Sequence, residues 1–207
     1  MCGICSCAAV EHSDFRQPQT FQTFPTAVAD ALLSIPILKH TFGAFGLFSA
    51  SKKSMVHHLG TLKKSCVLYP GGMAELFLCS KTEETLYLRK RAGFIKLALQ
   101  TGADVVPLYF FGNTTCLDIL KHPVLAWMSR KAQLSCTLLW GRFFLPIPYR
   151  VTMVYARGMP LGLPVIKDPT KEDVAFWHEK FIQETERLFD TYKVYSPQYA
   201  EKKLVIL

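Results

Sequence analysis

The chain has 207 residues, which suffices for one α/β domain with a hydrophobic core, since domains cluster near about 100–200 residues. Half of its residues are hydrophobic, its mean hydropathy is +0.17, and its 24 basic and 16 acidic residues give a formal charge of +8. Such a basic and apolar chain suits the anionic face of a membrane. Because the chain contains no recognisable DNA- or RNA-binding motif, we do not expect nucleic acid to be its partner.

No membrane-spanning helix is predicted, because the sequence lacks an uninterrupted run of about 18 apolar residues. The nearest candidate, residues 27–50, is interrupted by Asp30, Pro36 and Lys39. Met1 is not followed by the basic region and long apolar core of a signal peptide. The seven cysteines, an odd number without a framework spacing, fit a reducing, cytosolic environment.

The amino-terminal segment contains a group of metal-type side chains: Cys2, Cys5, Cys7 and His12. A zinc site would need a second paired set of ligands, which is missing here. The small apolar neighbours instead favour a buried strand with incidental thiols, so we predict no metal site.

Two helices are predicted in the first third of the chain. Thr26 is placed to cap a helix over residues 27–34, and Ser51 to open a second one over residues 52–59. The second helix carries two histidines, which we interpret as solvated surface residues.

The central part of the chain predicts an α/β arrangement. A short apolar run that ends in a glycine pair indicates a buried strand entering a tight turn. Two further strand patterns flank a segment with helical spacing, which Gly102 would end as the C′ residue. Together these elements form a βαβ-type unit. The predicted ranges are residues 66–69 (strand), 85–89 (strand), 92–101 (helix) and 104–111 (strand).

An apolar segment, residues 134–149, is the most membrane-like stretch after this block. Its arginine and two prolines argue against a spanning helix. Two interpretations stay open: an apolar loop that dips into the bilayer or lines an acyl channel, and a loop buried in the domain.

The C-terminal part predicts a strand at residues 151–156 and a long helix that begins at Thr170. Thr170 and Asp173 have the spacing of a variant capping box. Apolar residues recur on one face of this helix, which indicates core packing rather than a cofactor site. The tail, residues 192–207, is predicted to be irregular. Since neither a repeat nor a second domain is visible, residues 1–207 are expected to form a single domain.

The central motifs resemble those of the type-2 diacylglycerol acyltransferase family, which includes monoacylglycerol and wax-alcohol acyltransferases. The family's Gly-Gly-x-x-Glu loop is similar to PGGMAE at residues 70–75. Its longest signature is similar to KRAGFIKLA at residues 90–98 and GADVVP at residues 102–107, and FGN at residues 111–113 closes the block. The ordered motifs extend over roughly forty-five residues, and weaker similarity covers nearly the whole chain.

The resemblance implies an α/β fold with a glycerolipid-acyltransferase-like mixed sheet flanked by helices, here N-terminally truncated. It implies an O-acyltransferase that moves a fatty acyl group from acyl-CoA, its co-substrate, to diacylglycerol and forms triacylglycerol, without a further cofactor. The alternatives are a monoacylglycerol or long-chain-alcohol acyltransferase and a non-catalytic membrane-surface homologue. The expected location is the cytosolic face of the endoplasmic reticulum membrane, with the lipid surface as a partner; a homo-oligomer is left open.

The family assigns the catalytic base to a histidine in a His-Pro-His-Gly motif, and this motif is not in the chain. In the family a small apolar run like residues 1–9 follows the motif, so its expected place is just before Met1. The chain is therefore expected to be a fragment or to have a misplaced start, with a natural inactive form as the alternative. His12 is the nearby substitute, but it lacks a His-x-x-x-x-Asp spacing.

The glycine-rich loop supplies the first group of substrate-binding residues that the resemblance implies. Gly71 and Gly72 would let the backbone approach a ligand and expose amide donors, or they would form a simple strand-ending turn. Glu75 would orient the base or bind the acceptor hydroxyl, with an ordinary surface carboxylate as the alternative.

The start of the central helix supplies the second group. Arg91 and Lys96 flank a helix N-terminus, where a CoA phosphate would be favoured by the helix dipole and by charge. A solvated basic face is the alternative interpretation. Gly93 and Phe94 would shape the start of the helix.

Overall fold

The computed structural model describes residues 25–33, 46–71, 83–112, 114, 118–120, 122, 127, 139–145, 147 and 149–207. Within these residues the chain forms four α-helices and eight short strands, in keeping with the predicted α/β class. The strands make four two-stranded sheets. The parallel pairs are β1 (Thr26–Val28) with β2 (Leu47–Ser49) and β3 (Glu83–Leu86) with β8 (Lys203–Ile206). The antiparallel pairs are β4 (Leu108–Phe111) with β7 (Val154–Arg157) and β5 (Asp118–Ile119) with β6 (Leu139–Trp140).

The helices differ widely in length. They are α1 (Asp30–Leu33), α2 (Lys52–Val56), α3 (Gly93–Thr101) and α4 (Lys171–Tyr192). A π-helical turn, His57–Thr61, continues α2. The helix predicted at residues 52–59 is therefore present, with a change of hydrogen-bonding pattern towards its end.

The helix predicted at residues 27–34 is wrong at its start. Thr26 does not cap a helix; it begins β1, lies opposite Leu47 and forms an isolated bridge to Val67. The N–H of Ala27 donates to the C=O of Val67 at 2.9 Å. Two segments distant in sequence thus satisfy this backbone, and their hydrogen bonds outweigh the local capping signal.

The central helix is confirmed, and its flanking strands are shifted. Gly102 ends α3 in the left-handed conformation, at φ 69°, as predicted for a C′ residue. Compared with the prediction, β3 begins earlier and β4 is shorter, since Pro107 lacks the N–H that a ladder needs. The strand–helix–strand order is present, but β3 and β4 each hydrogen-bond to a C-terminal strand rather than to one another.

The C-terminal helix is confirmed, and the predicted irregular tail is wrong. The N–H of Asp173 donates to Thr170 Oγ1 at 3.1 Å, and the N–H of Thr170 donates to Asp173 Oδ2 at 2.9 Å, which is the predicted capping box. The tail ends in β8, which pairs with β3, and the N–H of Leu207 donates to the C=O of Leu86 at 2.9 Å. A strand far away in sequence therefore orders the tail.

The long helix α4 joins the C-terminal sheets to α3. One cluster packs α4 against β4, β7 and the tail, and its fully buried members are Phe111, Leu188, Phe189 and Tyr199. A second cluster packs α4 against α3, with Leu88, Ile95, Leu99 and Phe181 at its centre. The apolar stripe predicted on α4 as core is therefore confirmed.

Candidate functional site

A cavity of about 600 Å³ lies between α3, β3, β4 and the segment that runs from α2 to Pro70. Its walls are mostly apolar, and they include Leu59, Leu68, Leu86, Leu97, Val106 and Phe110. This volume falls in the range of about 300–1,000 Å³ that is typical of small-molecule sites. The cavity is therefore large enough for a long apolar ligand.

Two exposed lysines line the cavity at the end where β4 begins. Lys63 Nζ donates to the C=O of Thr101, the last residue of α3, at 3.5 Å, and Lys64 follows. Asp104 lies at the same end, but its carboxylate accepts the backbone N–H of Gly162 at 3.0 Å, so it serves to hold a loop. Lys63 and Lys64, the lysine mouth, give this end a positive charge.

A buried polar network lies at the other end of β4. Lys202 Nζ donates to Glu84 Oε1 at 2.9 Å, and Thr114 Oγ1 donates to the same oxygen at 2.5 Å. The hydroxyl of Tyr199 shares a further hydrogen bond of 2.5 Å with Thr114 Oγ1. Glu84 and Lys202 are only 2% and 4% exposed. These four residues are the Glu84 network; Glu84 and Thr114 line the cavity, and the other two lie behind them.

The hydrogen bonds of the Glu84 network run in one direction. Burial and the neighbouring Glu84 carboxylate raise the pKa of Tyr199 well above its usual range. The phenol therefore keeps its proton and donates it to Thr114 Oγ1, which donates its single proton to Glu84. The network ends on a carboxylate, a group that can only accept.

The backbone at the end of β4 positions Thr114. Gly112 has φ 91°, and a Cβ at this residue would lie 2.7 Å from the carbonyl oxygen of Thr152. A larger residue would be strained and would clash, so glycine is required where the chain leaves β4. The sequence identifies Gly112 only as part of a closing motif, whereas the structure gives it this role.

The glycine-rich loop is described only in part. Gly71 is buried and directly follows Pro70, which lines the cavity. Gly71, one of the predicted substrate-binding residues, therefore lies beside the candidate site. Gly72, Glu75 and His12, like the amino-terminal cysteines, lie outside the described residues.

The predicted residues at the start of α3 divide into two groups. Phe94 lines the cavity, whereas Arg91, Gly93 and Lys96 are exposed and lie outside its wall. The guanidinium of Arg91 lies 5.6 Å from the centre of the Tyr87 ring. A Cβ at Gly93 would meet no atom within 4 Å, so packing does not require glycine there. The structure thus places a basic, solvated surface beside the cavity rather than in it.

Sequence reasoning missed the Glu84 network and the lysine mouth. Tyr199 and Lys202 fall in the tail that was expected to be irregular. A signal is nevertheless present, because Glu84, Leu86 and Leu88 share one face of an extended segment. A carboxylate in an otherwise apolar row indicates a buried partner, although not which one.

A buried histidine lies behind the start of α3. His178 on α4 is 7% exposed, and its ring contacts Phe94 edge to face, with the centres 6.2 Å apart. Burial lowers its pKa, while a hydrogen bond to the Leu88 carbonyl opposes this shift. Arg89 and Glu179 are the charged neighbours, 3.9 Å apart. His178 does not line the cavity, so the structure makes it a neutral core residue.

An apolar turn projects between β6 and β7. Phe143 and Phe144 are 77% and 89% exposed, and both have a positive φ, 58° and 57°. Backbone bonds hold the turn, including one from the N–H of Gly141 to the C=O of Leu145 at 2.7 Å. Residues 141–145, the Phe143 loop, are thus a structured apolar tip. In this part of the segment at residues 134–149, the exposed rings argue against the interpretation as a loop buried in the domain.

The described residues lack two other kinds of feature. None of their helices combines the length and the apolar character needed to cross a bilayer. Nowhere among them do three side chains of His, Cys, Asp or Glu come together as a potential metal site.

An apolar cavity with a positive mouth and a buried polar end defines a candidate lipid-binding α/β protein. The chain belongs to the diacylglycerol acyltransferase family, because the family model "Diacylglycerol acyltransferase" matches residues 2–206. This confirms the family that the sequence motifs predicted.

Curated relatives agree with the family match. The chain is 33% identical to mouse (Mus musculus) "Diacylglycerol O-acyltransferase 2-like protein 6" over 190 residues, which cover 81% of this chain and 55% of the relative. It is 33% identical to Dictyostelium discoideum "Diacylglycerol O-acyltransferase 2" over 173 residues, 77% of this chain and 52% of the relative. It is 28% identical to human (Homo sapiens) "2-acylglycerol O-acyltransferase 3" over 182 residues, 81% of this chain and 53% of the relative.

The chain spans about half the length of the curated relatives it matches. No solved structure matches it. The comparisons therefore define the family, while the described fold supports the α/β class on its own evidence.

Proposed function

We propose that the protein is an acyl-CoA-dependent O-acyltransferase that transfers a fatty acyl group to the hydroxyl of diacylglycerol and forms triacylglycerol. The observation that carries the proposal is the cavity of about 600 Å³, whose mostly apolar walls suit an acyl chain. Each buried methylene contributes about 0.8 kcal/mol, so ten of them would contribute about 8 kcal/mol to binding. Acyl-CoA is the co-substrate, and no further cofactor is proposed.

The lysine mouth supports acyl-CoA as the donor. Lys63 and Lys64 are exposed at one end of the cavity, where they can meet the phosphates of CoA while the acyl chain lies inside. The formal charge of +8 adds a long-range attraction for such a polyanion. The basic start of α3, with Arg91 and Lys96, is a second candidate contact for these phosphates.

Acyl transfer to an alcohol requires a general base and donors for the oxyanion. Gly71 lies beside the cavity wall, so its backbone amide is a candidate donor. Each described histidine lies outside the wall, and we assign no base among them. The histidine of a His-Pro-His-Gly motif stays the expected base.

The Phe143 loop supports a membrane surface as the working environment. Its two exposed rings, beside Arg142, combine an apolar tip with a positive charge, which suits an anionic bilayer. A diacylglycerol acceptor would also reach the enzyme from a bilayer. As its location we propose the cytosolic face of the endoplasmic reticulum membrane, which the family resemblance implies.

Transfer to monoacylglycerol is the second candidate function. The similarity to human "2-acylglycerol O-acyltransferase 3" favours it. Labelled products distinguish the candidates, because diacylglycerol would accumulate instead of triacylglycerol.

The test uses cells that lack their own acyltransferases and express the protein from its complete coding sequence. Labelled oleate should appear in triacylglycerol. Ala98→Phe, which places a ring in the cavity wall, should reduce this label at least tenfold at equal protein level. Gln100→Phe, outside the wall on the same helix, is the matched control and should retain it. Absence of any labelled neutral lipid, or equal activity of Ala98→Phe and the control, would overturn the proposal.

A further inference from the structure

We infer that the Glu84–Thr114 end of the cavity binds the free hydroxyl of a neutral lipid acceptor, with Lys202 as the residue that positions Glu84. The inference rests on the proposed acyltransferase function and assigns the acceptor to one end of the cavity. Glu84 would then determine which acceptor lipid the protein selects, a role that no local sequence motif indicates.

The buried ion pair calls for a role besides stability. Glu84 and Lys202 are 2% and 4% exposed, and removing two charges from water costs several kcal/mol for each. Apolar side chains of similar volume often stabilise a protein equally well. The β3–β8 ladder already holds the tail through its backbone, so the pair is not needed to attach it. Its place in a cavity wall supports a role in ligand binding.

The direction of the hydrogen bonds selects the chemistry of the ligand. Tyr199 donates to Thr114, and Thr114 donates its single proton to Glu84, so neither group that lines the cavity has a proton for a ligand, and the carboxylate can only accept one from it. Both observed hydrogen bonds reach Oε1 of Glu84. A hydroxyl can donate to this carboxylate, whereas an ester or an ether cannot, and an anionic group would be repelled by its charge.

The two ends of the cavity differ in charge and are separated along β4. Lys63 contacts the end of α3 that precedes this strand, and Thr114 follows its last residue. Four strand residues span about 10 Å from first to last, at about 3.3 Å per residue. An anionic donor and a neutral acceptor can thus be recognised at different ends of one cavity.

The test measures binding of 1,2-dioleoylglycerol and its 3-O-methyl ether to the purified protein in neutral detergent micelles, by displacement of a pyrene-labelled diacylglycerol. The wild type should bind the alcohol about tenfold more tightly than the ether, or about 1.4 kcal/mol. The double variant Glu84→Leu/Lys202→Met should bind both lipids equally well. Equal binding by the wild type, or a retained preference in a folded double variant, overturns the inference.

Two further variants complete the design. Thr185→Val removes another hydroxyl of the cavity wall, one that donates to the Phe181 carbonyl and lies outside the Glu84 network, so the preference for the alcohol should remain. If the double variant does not fold, Glu84→Gln/Lys202→Met serves instead: a neutral amide oxygen accepts a hydrogen bond more weakly than a carboxylate, so the preference should fall at least threefold, and an unchanged ratio overturns the inference.

Activity assays separate this inference from the proposed function. If the wild type prefers the alcohol but forms no acylated product, the acyltransferase proposal fails and the hydroxyl site stands. If the double variant transfers oleate to diacylglycerol at the parental kcat and KM, the hydroxyl site fails and the acyltransferase proposal stands.

Discussion

Removing one charge of the Glu84 network should destabilise the protein far more than removing both. Lys202→Met leaves Glu84, which is 2% exposed, without the cation that lies 2.9 Å away. An uncompensated buried charge costs about 3–5 kcal/mol, whereas an apolar replacement of both partners is often neutral. For a chain of this length 1 kcal/mol shifts Tm by about 2–4 °C, so this variant should melt roughly 6–20 °C below the wild type.

Thermal unfolding followed by circular dichroism measures this effect in a double-mutant cycle. The proteins are the wild type, Lys202→Met, Glu84→Leu and the combined variant, and the combination should recover most of the loss. Lys203→Met is the matched control, because Lys203 is the exposed neighbour on β8 and should alter Tm little. Strictly additive losses, or four equal melting temperatures, would refute the account of a coupled buried pair.

Three further predictions concern the surface, the core and the motif residues. Serine at both Phe143 and Phe144 should weaken binding to anionic liposomes about 100-fold or more, since a half-inserted ring contributes about 2 kcal/mol. Stability should fall as the pH drops below about 6.5, because His178 is held neutral in the folded state while the unfolded chain binds a proton. Arg91→Ala should raise the KM for acyl-CoA and Glu75→Gln should lower kcat, each about tenfold, or about 1.4 kcal/mol.

Each of these predictions has a control variant or an outcome that would contradict it. Phe176→Ser removes an exposed ring far from the Phe143 loop in sequence, and equal liposome binding by the two serine variants would count against membrane insertion. In His178→Gln the loss of stability below about pH 6.5 should be smaller than in the wild type. If the loss is unchanged, other groups cause it. Parental kinetics in Arg91→Ala and Glu75→Gln would make both residues surface charges, and their expression should stay near normal.

The local signals in the sequence predicted the elements that local interactions stabilise. The helix at α3 has an apolar face and a C′ glycine, and α4 has a reciprocal capping box, so each is specified within its own segment. Phe94 and Gly71 were predicted as substrate-binding residues from family motifs. In the structure Phe94 lines the cavity, and Gly71 lies beside its wall.

The failed predictions involve contacts between distant segments. Thr26 has a good capping side chain, yet it pairs with Leu47 and Val67. The strand at the end of the tail pairs with β3, more than a hundred residues away. Glu84 and Lys202 are separated by 118 positions, so neither indicates the other in a single sequence. The polar end of the cavity could be found only from the fold.

The central claim, that this cavity holds the acyl chain, can be tested by photocrosslinking. Palmitoyl-CoA with a diazirine near the methyl end of its chain would be irradiated with the protein, and the adducts mapped by mass spectrometry. The account predicts adducts on the inner face of α3 and on β4, at wall residues such as Leu97, Ala98 and Phe110, and excess unlabelled palmitoyl-CoA should suppress them. Adducts confined to the Phe143 loop and other exposed surfaces, or insensitive to the competitor, would contradict it.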